Sequence, residues 1–217
     1  MKETSSAIRD GLGVGIAVGL SGVAFGAAAV TAGLTVAQAC VLSLLAFTGA
    51  SQFALVGAAA GGGSLLAAAA GAVLLGGRNS LYGLRLADLL KVRGARRLVA
   101  AHGVIDESTA VAMAQPTPEA ARVGFVTTAA TIYVMWNLST LLGALGTAFL
   151  GDPAVLGIDV VGPAAFLAIL WPRLAASGEL RRLALAGAGL ALLGSLVLPA
   201  GVPVLLSAVA VLPAVLR

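Results

Sequence analysis

The sequence predicts an all-α integral membrane protein of about seven transmembrane helices. Hydrophobic residues make up 59% of the 217 residues and charged residues only 10%, whereas an ordinary soluble domain carries about 25% charged residues. Apolar stretches long enough to cross a bilayer recur along the chain, and the basic residues gather between them. This composition excludes a water-soluble fold. The clustering of the basic residues also argues against a nucleic-acid partner, despite a net charge of +4.

The predicted crossings are apolar windows that contain at most one charged residue, since a helix needs about 20 mostly apolar residues to cross the bilayer. A hydrophilic interval divides this single transmembrane domain. The first helical half spans 11–83, a cytoplasmic basic loop spans 84–122, and a second half with a terminal helix spans 123–217. The windows lie near 11–34, 36–60, 64–83, 123–148, 155–171, 183–199 and 201–216.

Basic residues set the expected topology. Seven of the 13 Lys and Arg lie between Arg78 and Arg122, and such clusters mark the cytoplasmic loops of a cell-membrane protein. Three crossings before this cluster place the N-terminus outside. The alternative is that one early segment is broken or re-entrant, which keeps the N-terminus inside and leaves six crossings. With three crossings each, the two halves would form inverted repeats followed by one extra C-terminal helix.

The first helix starts in a charge-balanced segment, since Glu3 and Asp10 offset Lys2 and Arg9. This balance and the length of the apolar run that follows argue against a signal peptide. Glycines recur every three or four positions, which lets helix backbones approach closely in lipid. We expect this stripe to pack against another helix. It consists of Gly11, Gly15, Gly19, Gly22 and Gly26.

The second window has small and polar residues at its centre, over 48–52. A helix break there would free backbone amides and carbonyls in mid-membrane, which is tolerable only where protein or a water-filled cavity satisfies them. Carrier binding sites are built in this way. Gly49, Ser51 and Gln52 are therefore candidate substrate contacts. The alternative is a kinked helix in which Gln52 bonds to a neighbouring helix.

The third window ends with Arg78 and Asn79, after two glycines. Arg78 either extends its side chain to the cytoplasmic interface or faces the interior. In the interior, its guanidinium would hold a substrate carboxylate or an acid such as Asp88. On this second interpretation Arg78 and Asn79 are candidate binding residues.

The basic interval should contain local helices. Over 86–98, leucines alternate with Arg and Lys in a helical pattern, which suits either a short helix at the membrane surface or an ordinary solvated face. The segment 106–109 is typical of a local helix start. Thr117 before Pro118 has the capping chemistry that should open the fourth long helix.

Two later positions are further candidates. Trp136 and Asn137 place an aromatic ring beside an amide in the fourth long helix, where they would line an apolar pocket, or Asn137 would form only an interhelical hydrogen bond. Asp159 precedes Pro163 in the next window. It is either a helix cap or loop acid or, in a cavity where desolvation favours its protonated form, an ion-coupling residue that carries a proton.

Enzymatic functions find no support in the sequence. The one cysteine, Cys40, permits no intrachain disulfide and no multi-Cys metal site. The only histidine, His102, lies in the basic interval rather than beside a serine in an apolar window. A phosphate-binding loop is also missing. We therefore predict no enzyme, no cofactor and no metal.

A series of short stretches, in a fairly specific order and spacing, occurs at 23–26, 42–53, 77–83, 106–107, 136, 139–140, 156–159 and 163–166. Together they resemble the AzlC family of branched-chain amino acid exporters over nearly the whole chain. The chain departs from the family's usual pattern at Gly77, Asn79 and Val160, where Asn, His and Phe are common. These departures fall on positions expected to contact the substrate.

The resemblance implies a permease that exports branched-chain or related apolar amino acids with a second, much smaller hydrophobic subunit of the AzlD type. We expect an ion gradient to drive this export. A non-transporting membrane scaffold, whose basic loop recruits a cytoplasmic partner, and a passive channel for a small solute are the alternatives.

Overall fold

The structure is a computed structural model, and it describes residues 2–62, 64–150, 167, 171, 174–198 and 202–211. Within these residues all regular secondary structure is helical, which confirms the all-α prediction. The helices are α1 (Lys2–Leu20), α2 (Gly22–Thr31), α3 (Val36–Ala46), α4 (Ala50–Ala60), α5 (Leu65–Gly76), α6 (Arg78–Leu90), α7 (Ala95–His102), α8 (Asp106–Ala114), α9 (Pro118–Leu150), α10 (Gly178–Ser195) and α11 (Val202–Ser207), which a 3₁₀ helix, Ala208–Val211, follows.

Two apolar segments are long enough to cross a membrane, and they pack against each other. The first, Lys2–Thr31, combines α1 and α2, and the second, Pro118–Phe149, lies within α9. The predicted glycine stripe forms the contact between them. A Cβ added at Gly11 would lie 3.0 Å from the Cβ of Thr127, and one added at Gly15 would lie 2.6 Å from the Cβ of Thr131.

The contacts of the glycine stripe, which we call the glycine seam, show the relative direction of the two segments. Gly19 meets Met135 and Gly26 meets Thr140, so the contact advances along both helices together. α1, α2 and α9 therefore run parallel. A side chain at most of these positions would collide with backbone or Cβ atoms of α9, which confirms that the stripe serves helix packing.

The parallel packing places the start of the chain beside the start of α9. Thr117 donates a hydrogen bond to Glu3 (3.1 Å), and Gln115 donates one to Asp10 (3.5 Å). We call this end of the molecule the basic side, because the basic residues around Arg122 lie here. We call the opposite end, where α2 ends, the far side. An N-terminus opposite the basic interval would need α1 antiparallel to α9. The alternative topology, with one early segment broken, fits the structure.

The second window folds as a hairpin rather than as one crossing. α3 runs antiparallel to α9, since Ser43 donates to Thr140 (3.3 Å) and the Phe47 ring lies 5.0 Å from that of Tyr133. α4 then returns to the far side, where Ala59 lines the same cavity as Leu34. Each arm has 11 residues, or about 16 Å, half of a bilayer core. The count of seven crossings is not confirmed.

The third window continues into two successive helices that run from the far side to the basic side. α5 passes the tip of the first hairpin, where Gly76 faces Ser51. After Gly77 the chain continues as α6, which ends at Leu90. Near its end, Arg122 donates a hydrogen bond from Nε to the carbonyl of Leu89 (2.7 Å). α6 therefore extends into the interval predicted as a loop.

The rest of that interval forms a second hairpin, α7 and α8, which enters from the basic side. The ring of His102, at the end of α7, lies 5.6 Å from that of Tyr133. α8 begins at Asp106, as predicted, and returns to the basic side, where Val111 meets Gly124. The expected surface helix over 86–98 is wrong in part, because Leu86 is buried in a cluster with Phe125.

The C-terminal elements pair with each other. α9 begins at Pro118 as predicted, with Thr117 accepting from the amide of Ala120 (3.4 Å). α10 begins earlier than the predicted window and packs antiparallel to α11, with Gly194 against Pro203. Most of the window 155–171, and with it the proposed similarity between the two halves, lies outside the described residues.

Candidate functional site

The tips of the two hairpins meet halfway along α9 and enclose a cavity of about 140 Å³. Ligand pockets of larger molecules hold about 300–1,000 Å³, so this cavity suits a small solute. Its lining includes both hairpin tips, α1, α6 and α9. The lining residues are Val18, Ser21, Phe47, Thr48, Gly49, Ala50, Phe53, Arg78, Ile105, Asp106, Glu107, Ile132 and Trp136.

The first tip breaks the helix over Phe47 to Gly49. Both residues adopt positive φ, 33° at Phe47 and 57° at Gly49. The Gln52 side chain closes this break, because its Oε1 accepts from the amides of Thr48 (3.3 Å) and Gly49 (3.0 Å) and its Nε2 donates to the carbonyl of Leu42 (3.1 Å). Gln52 is only 1% exposed. We therefore assign it a positioning role rather than the predicted substrate contact.

The second tip has the same construction with a shorter side chain. Ser108 lies three residues after the N-cap Ile105, as Gln52 lies three residues after the N-cap Gly49. Its hydroxyl accepts from the amide of Ile105 (3.1 Å) and donates to the carbonyl of Gly103 (2.6 Å). Both tips thus satisfy their freed backbone groups from within, as a helix break in a membrane requires.

Contacts between the tips join the two hairpins. Nε2 of His102 lies 3.0 Å from the carbonyl oxygen of Leu44, and its ring lies 5.6 Å from that of Phe47. The sequence placed His102 in a basic loop. It lies instead at the second tip, because the interval around it folds back into the molecule.

The cavity contains charges of both signs. Arg78 forms an ion pair with Asp106, so its acidic partner is a different residue from Asp88, the example that the sequence offered. Asp88 lies further along α6 than Arg78, and its side chain is exposed. Glu107 also lines the cavity. The α4 and α8 helices begin here, so their positive dipole ends lie at the cavity. These features together suit a ligand that carries a carboxylate and an ammonium.

Aromatic rings form one wall of the site. The ring of Phe25 lies 5.9 Å from that of Trp136 in a stacked arrangement and 5.5 Å from that of Phe53 in an edge-to-face arrangement. Trp136 and Phe53 are each 3% exposed. With Val18 and Ile132 they provide an apolar surface in the same cavity as the charged groups. Such a surface suits an aliphatic side chain.

Among known protein families, the model of the family described as AzlC protein matches residues 13–150 of this chain. The matched range contains both hairpins and every residue that lines the cavity. The chain belongs to the AzlC family. No curated protein and no solved structure matches it. The family and the apolar helices make this AzlC protein a membrane protein with a function related to transport.

The AzlC chain brings only part of the predicted site together. Gly49, Arg78 and Trp136 line the central cavity. Ser51 and Gln52 line a neighbouring, more open cavity of about 460 Å³ between the first hairpin and α5. The remaining candidates line neither: Asn79 and Asn137 lie outside both linings, and Asp159 lies outside the described residues.

Buried polar atoms without a hydrogen-bond partner nevertheless occur in four of the predicted site residues. Among the described residues, five buried side-chain atoms have no hydrogen-bond partner, although such groups are rare in folded proteins and call for an explanation. Four of the five belong to predicted site residues. The atoms are Arg78 Nε, Asn79 Oδ1, Trp136 Nε1, Asn137 Oδ1 and Thr109 Oγ1.

The sequence analysis did not identify the residues of the second hairpin that line the cavity. Asp106, Glu107 and Ile105 line the cavity in the AzlC protein, but none was a candidate. The available signal was the pair Asp106 and Glu107 at a helix start in an otherwise basic interval. Within the described residues no group of three His, Cys, Asp or Glu is arranged to hold a metal ion.

Proposed function

We propose that this AzlC protein is the large subunit of a secondary transporter that exports branched-chain or related apolar amino acids across the cytoplasmic membrane. The observation that carries the proposal is the central cavity, where two opposed hairpin tips, together with α1, α6 and α9, place an arginine, two carboxylates and an apolar wall around a small volume. The family supports a function in transport.

The lining suggests how an amino acid would lie in the cavity. The substrate carboxylate would bind the guanidinium of Arg78 and the amides at the start of α4, near Gly49 and Ala50. Its aliphatic side chain would lie against Ile132 and Trp136. The indole N–H of Trp136, which lacks an acceptor among the described residues, is a further donor near the site.

Opposed hairpins provide a way to alternate access. The first hairpin separates the cavity from the far side, and the second separates it from the basic side. Movement of one tip at a time would open the cavity to one side, as in transporters with broken helices at mid-membrane. In this proposal the chain is a multi-pass protein that carries out no covalent chemistry and needs no cofactor.

Two parts of the proposal rest on the family and the sequence. The family resemblance supports a small hydrophobic AzlD-type subunit as the partner, with the assembly in the lipid bilayer of the cell membrane. An ion gradient is the proposed energy source, and Asp159 is the candidate coupling residue.

Efflux of preloaded radiolabelled leucine, isoleucine, valine and methionine tests the proposal in cells that lack their own exporters. The chain is expressed with and without a small hydrophobic subunit. We expect faster efflux that collapses when the proton gradient is dissipated. Poorly saturating downhill flux that ignores the gradient would indicate a channel, and unchanged efflux of all four amino acids would favour the scaffold.

A matched pair of variants tests the site in the same assay. Arg78→Ala removes the carboxylate partner and should slow efflux about tenfold or more. Arg85→Ala, on the exposed face of the same helix, should leave efflux unchanged. Normal efflux by Arg78→Ala would remove this residue from the site.

A further inference from the structure

We infer that the substrate exchanges with the ion pair between Arg78 and Asp106. The substrate's carboxylate replaces Asp106 at the guanidinium, and its ammonium replaces Arg78 at the Asp106 carboxylate. This inference rests on the proposed function and adds a specificity-determining residue, Asp106, that the sequence did not indicate. It predicts that the site takes a molecule with both charges rather than an apolar acid or an apolar amine.

The two charges belong to different structural units. Arg78 is the first residue of α6, in the segment that crosses from the far side to the basic side, whereas Asp106 is the first residue of α8 in the second hairpin. Both line the central cavity. The two side chains form an ion pair across the cavity lining. The pair therefore links the second hairpin to a spanning segment at the point where a substrate would bind.

The pair leaves hydrogen-bonding capacity unused. The Arg78 and Asp106 side chains are 34% and 28% exposed, so neither is sealed away from a ligand. The contact joins one guanidinium nitrogen to Oδ2 of Asp106, while the buried Nε of Arg78 has no acceptor among the described residues. A guanidinium presents a fork of donors that suits a carboxylate held by two parallel bonds.

Charge balance selects a zwitterion. A ligand with only a carboxylate would displace Asp106 from Arg78 and leave a partly buried carboxylate unpaired. A ligand with only an ammonium would leave Arg78 unpaired instead. Loss of one partner of such a pair costs more than the net value of the pair, because the remaining charge has lost its water without compensation. An amino acid compensates both charges at once.

The surroundings fix which pole goes to which residue. The start of α4, at Gly49 and Ala50, lies at the cavity and favours negative charge. Glu107, next to Asp106, favours positive charge on the opposite wall. The carboxylate therefore lies between Arg78 and the first tip, and the ammonium lies at the second tip.

Equilibrium binding of three ligands of matched shape tests the inference. The probes are leucine, 4-methylpentanoate, which lacks the amino group, and 3-methylbutylamine, which lacks the carboxylate. Each competes with radiolabelled leucine for the purified full chain in lipid nanodiscs, both alone and together with the small hydrophobic subunit. We expect both analogues to bind at least about tenfold more weakly than leucine to the wild-type chain.

Two variants reassign the preference. Asp106→Asn should weaken leucine binding and bring 4-methylpentanoate level with or above leucine, because no carboxylate is left unpaired. Arg78→Gln should shift the preference to 3-methylbutylamine. Asp88→Asn removes an exposed acid on α6 and should leave the wild-type order. Each variant is first checked for an unchanged elution volume and melting temperature.

The outcomes separate the two proposals. Wild-type protein that binds none of the three ligands overturns the proposed function together with this inference. Wild-type protein that binds leucine and both analogues equally overturns the ion-pair exchange alone. Variants that stay folded but keep the wild-type order of affinities, or lose all three ligands equally, also overturn it. The wild-type series decides the matter even if a variant does not fold.

Discussion

The two hairpin tips share one construction but differ in chemistry. In each, the third residue of the second helix satisfies backbone groups of the break, Gln52 in the first tip and Ser108 in the second. The first tip presents only uncharged residues to the cavity, whereas the second presents Asp106 and Glu107. The difference separates two tasks. Closure of the helix break depends on the capping residue, and recognition of charge depends on the residues before it.

The largest effect on stability is expected from Gln52→Ala, which tests whether Gln52 closes the helix break in the first tip. It leaves the amides of Thr48 and Gly49 and the carbonyl of Leu42 without their partner. Each lost bond to a buried group costs about 1–3 kcal/mol, so we expect a loss of about 3 kcal/mol and of efflux. Thermal unfolding of the purified protein measures this. A variant that is stable but inactive would instead indicate that Gln52 contacts the substrate, as the sequence predicted.

A smaller effect is expected from Gly49→Ala, which tests the backbone at the first tip. Gly49 has φ 57° and open space around its Cα, so an added methyl group meets no atom and acts only through backbone strain. Such strain costs about 1–3 kcal/mol. Gly57→Ala, also in open space but within α4 and without positive φ, is the control and should be neutral or stabilising. Equal melting temperatures would exclude strain at this tip.

The smallest effect is expected from Ser108→Ala, the counterpart of Gln52→Ala in the second hairpin. The hydroxyl bonds to one amide and to neighbouring carbonyls, so we expect a loss of about 1 kcal/mol. Melting temperature and leucine efflux measure it beside the Gln52 variant. If Ser108→Ala is the more damaging of the two, the second tip is the one whose closure limits transport.

The break in the first hairpin was predictable because its cause is local. Small and polar residues stand in the middle of an apolar window, and the structure ends one helix and starts another there. The second hairpin was not predictable by the same method. Its helices have eight and nine residues and carry charges, whereas a test for crossings needs about 20 apolar residues.

Contacts between residues that are far apart in the chain could not be predicted from the sequence either. The glycine stripe predicted a close helix contact, but nothing in its spacing identifies α9 as the partner or gives the direction. The ion pair joins Arg78 to a residue 28 positions away. The sequence offered Asp88 as one possible acid for Arg78, whereas the fold of the second hairpin brings Asp106 to it.

The contact between the first segment, Lys2–Thr31, and α9 indicates which part of the protein would stay fixed during a transport cycle. The glycines of the first segment lie against Cβ atoms or backbone atoms of α9 along the whole contact, so the two helices pack closely. We therefore expect them to move as one rigid unit. The hairpins reach only halfway across and touch each other through His102 and Phe47, and we expect them to be the parts that move. Distances between spin labels across the seam should stay constant when substrate is added, while those between the tips should change.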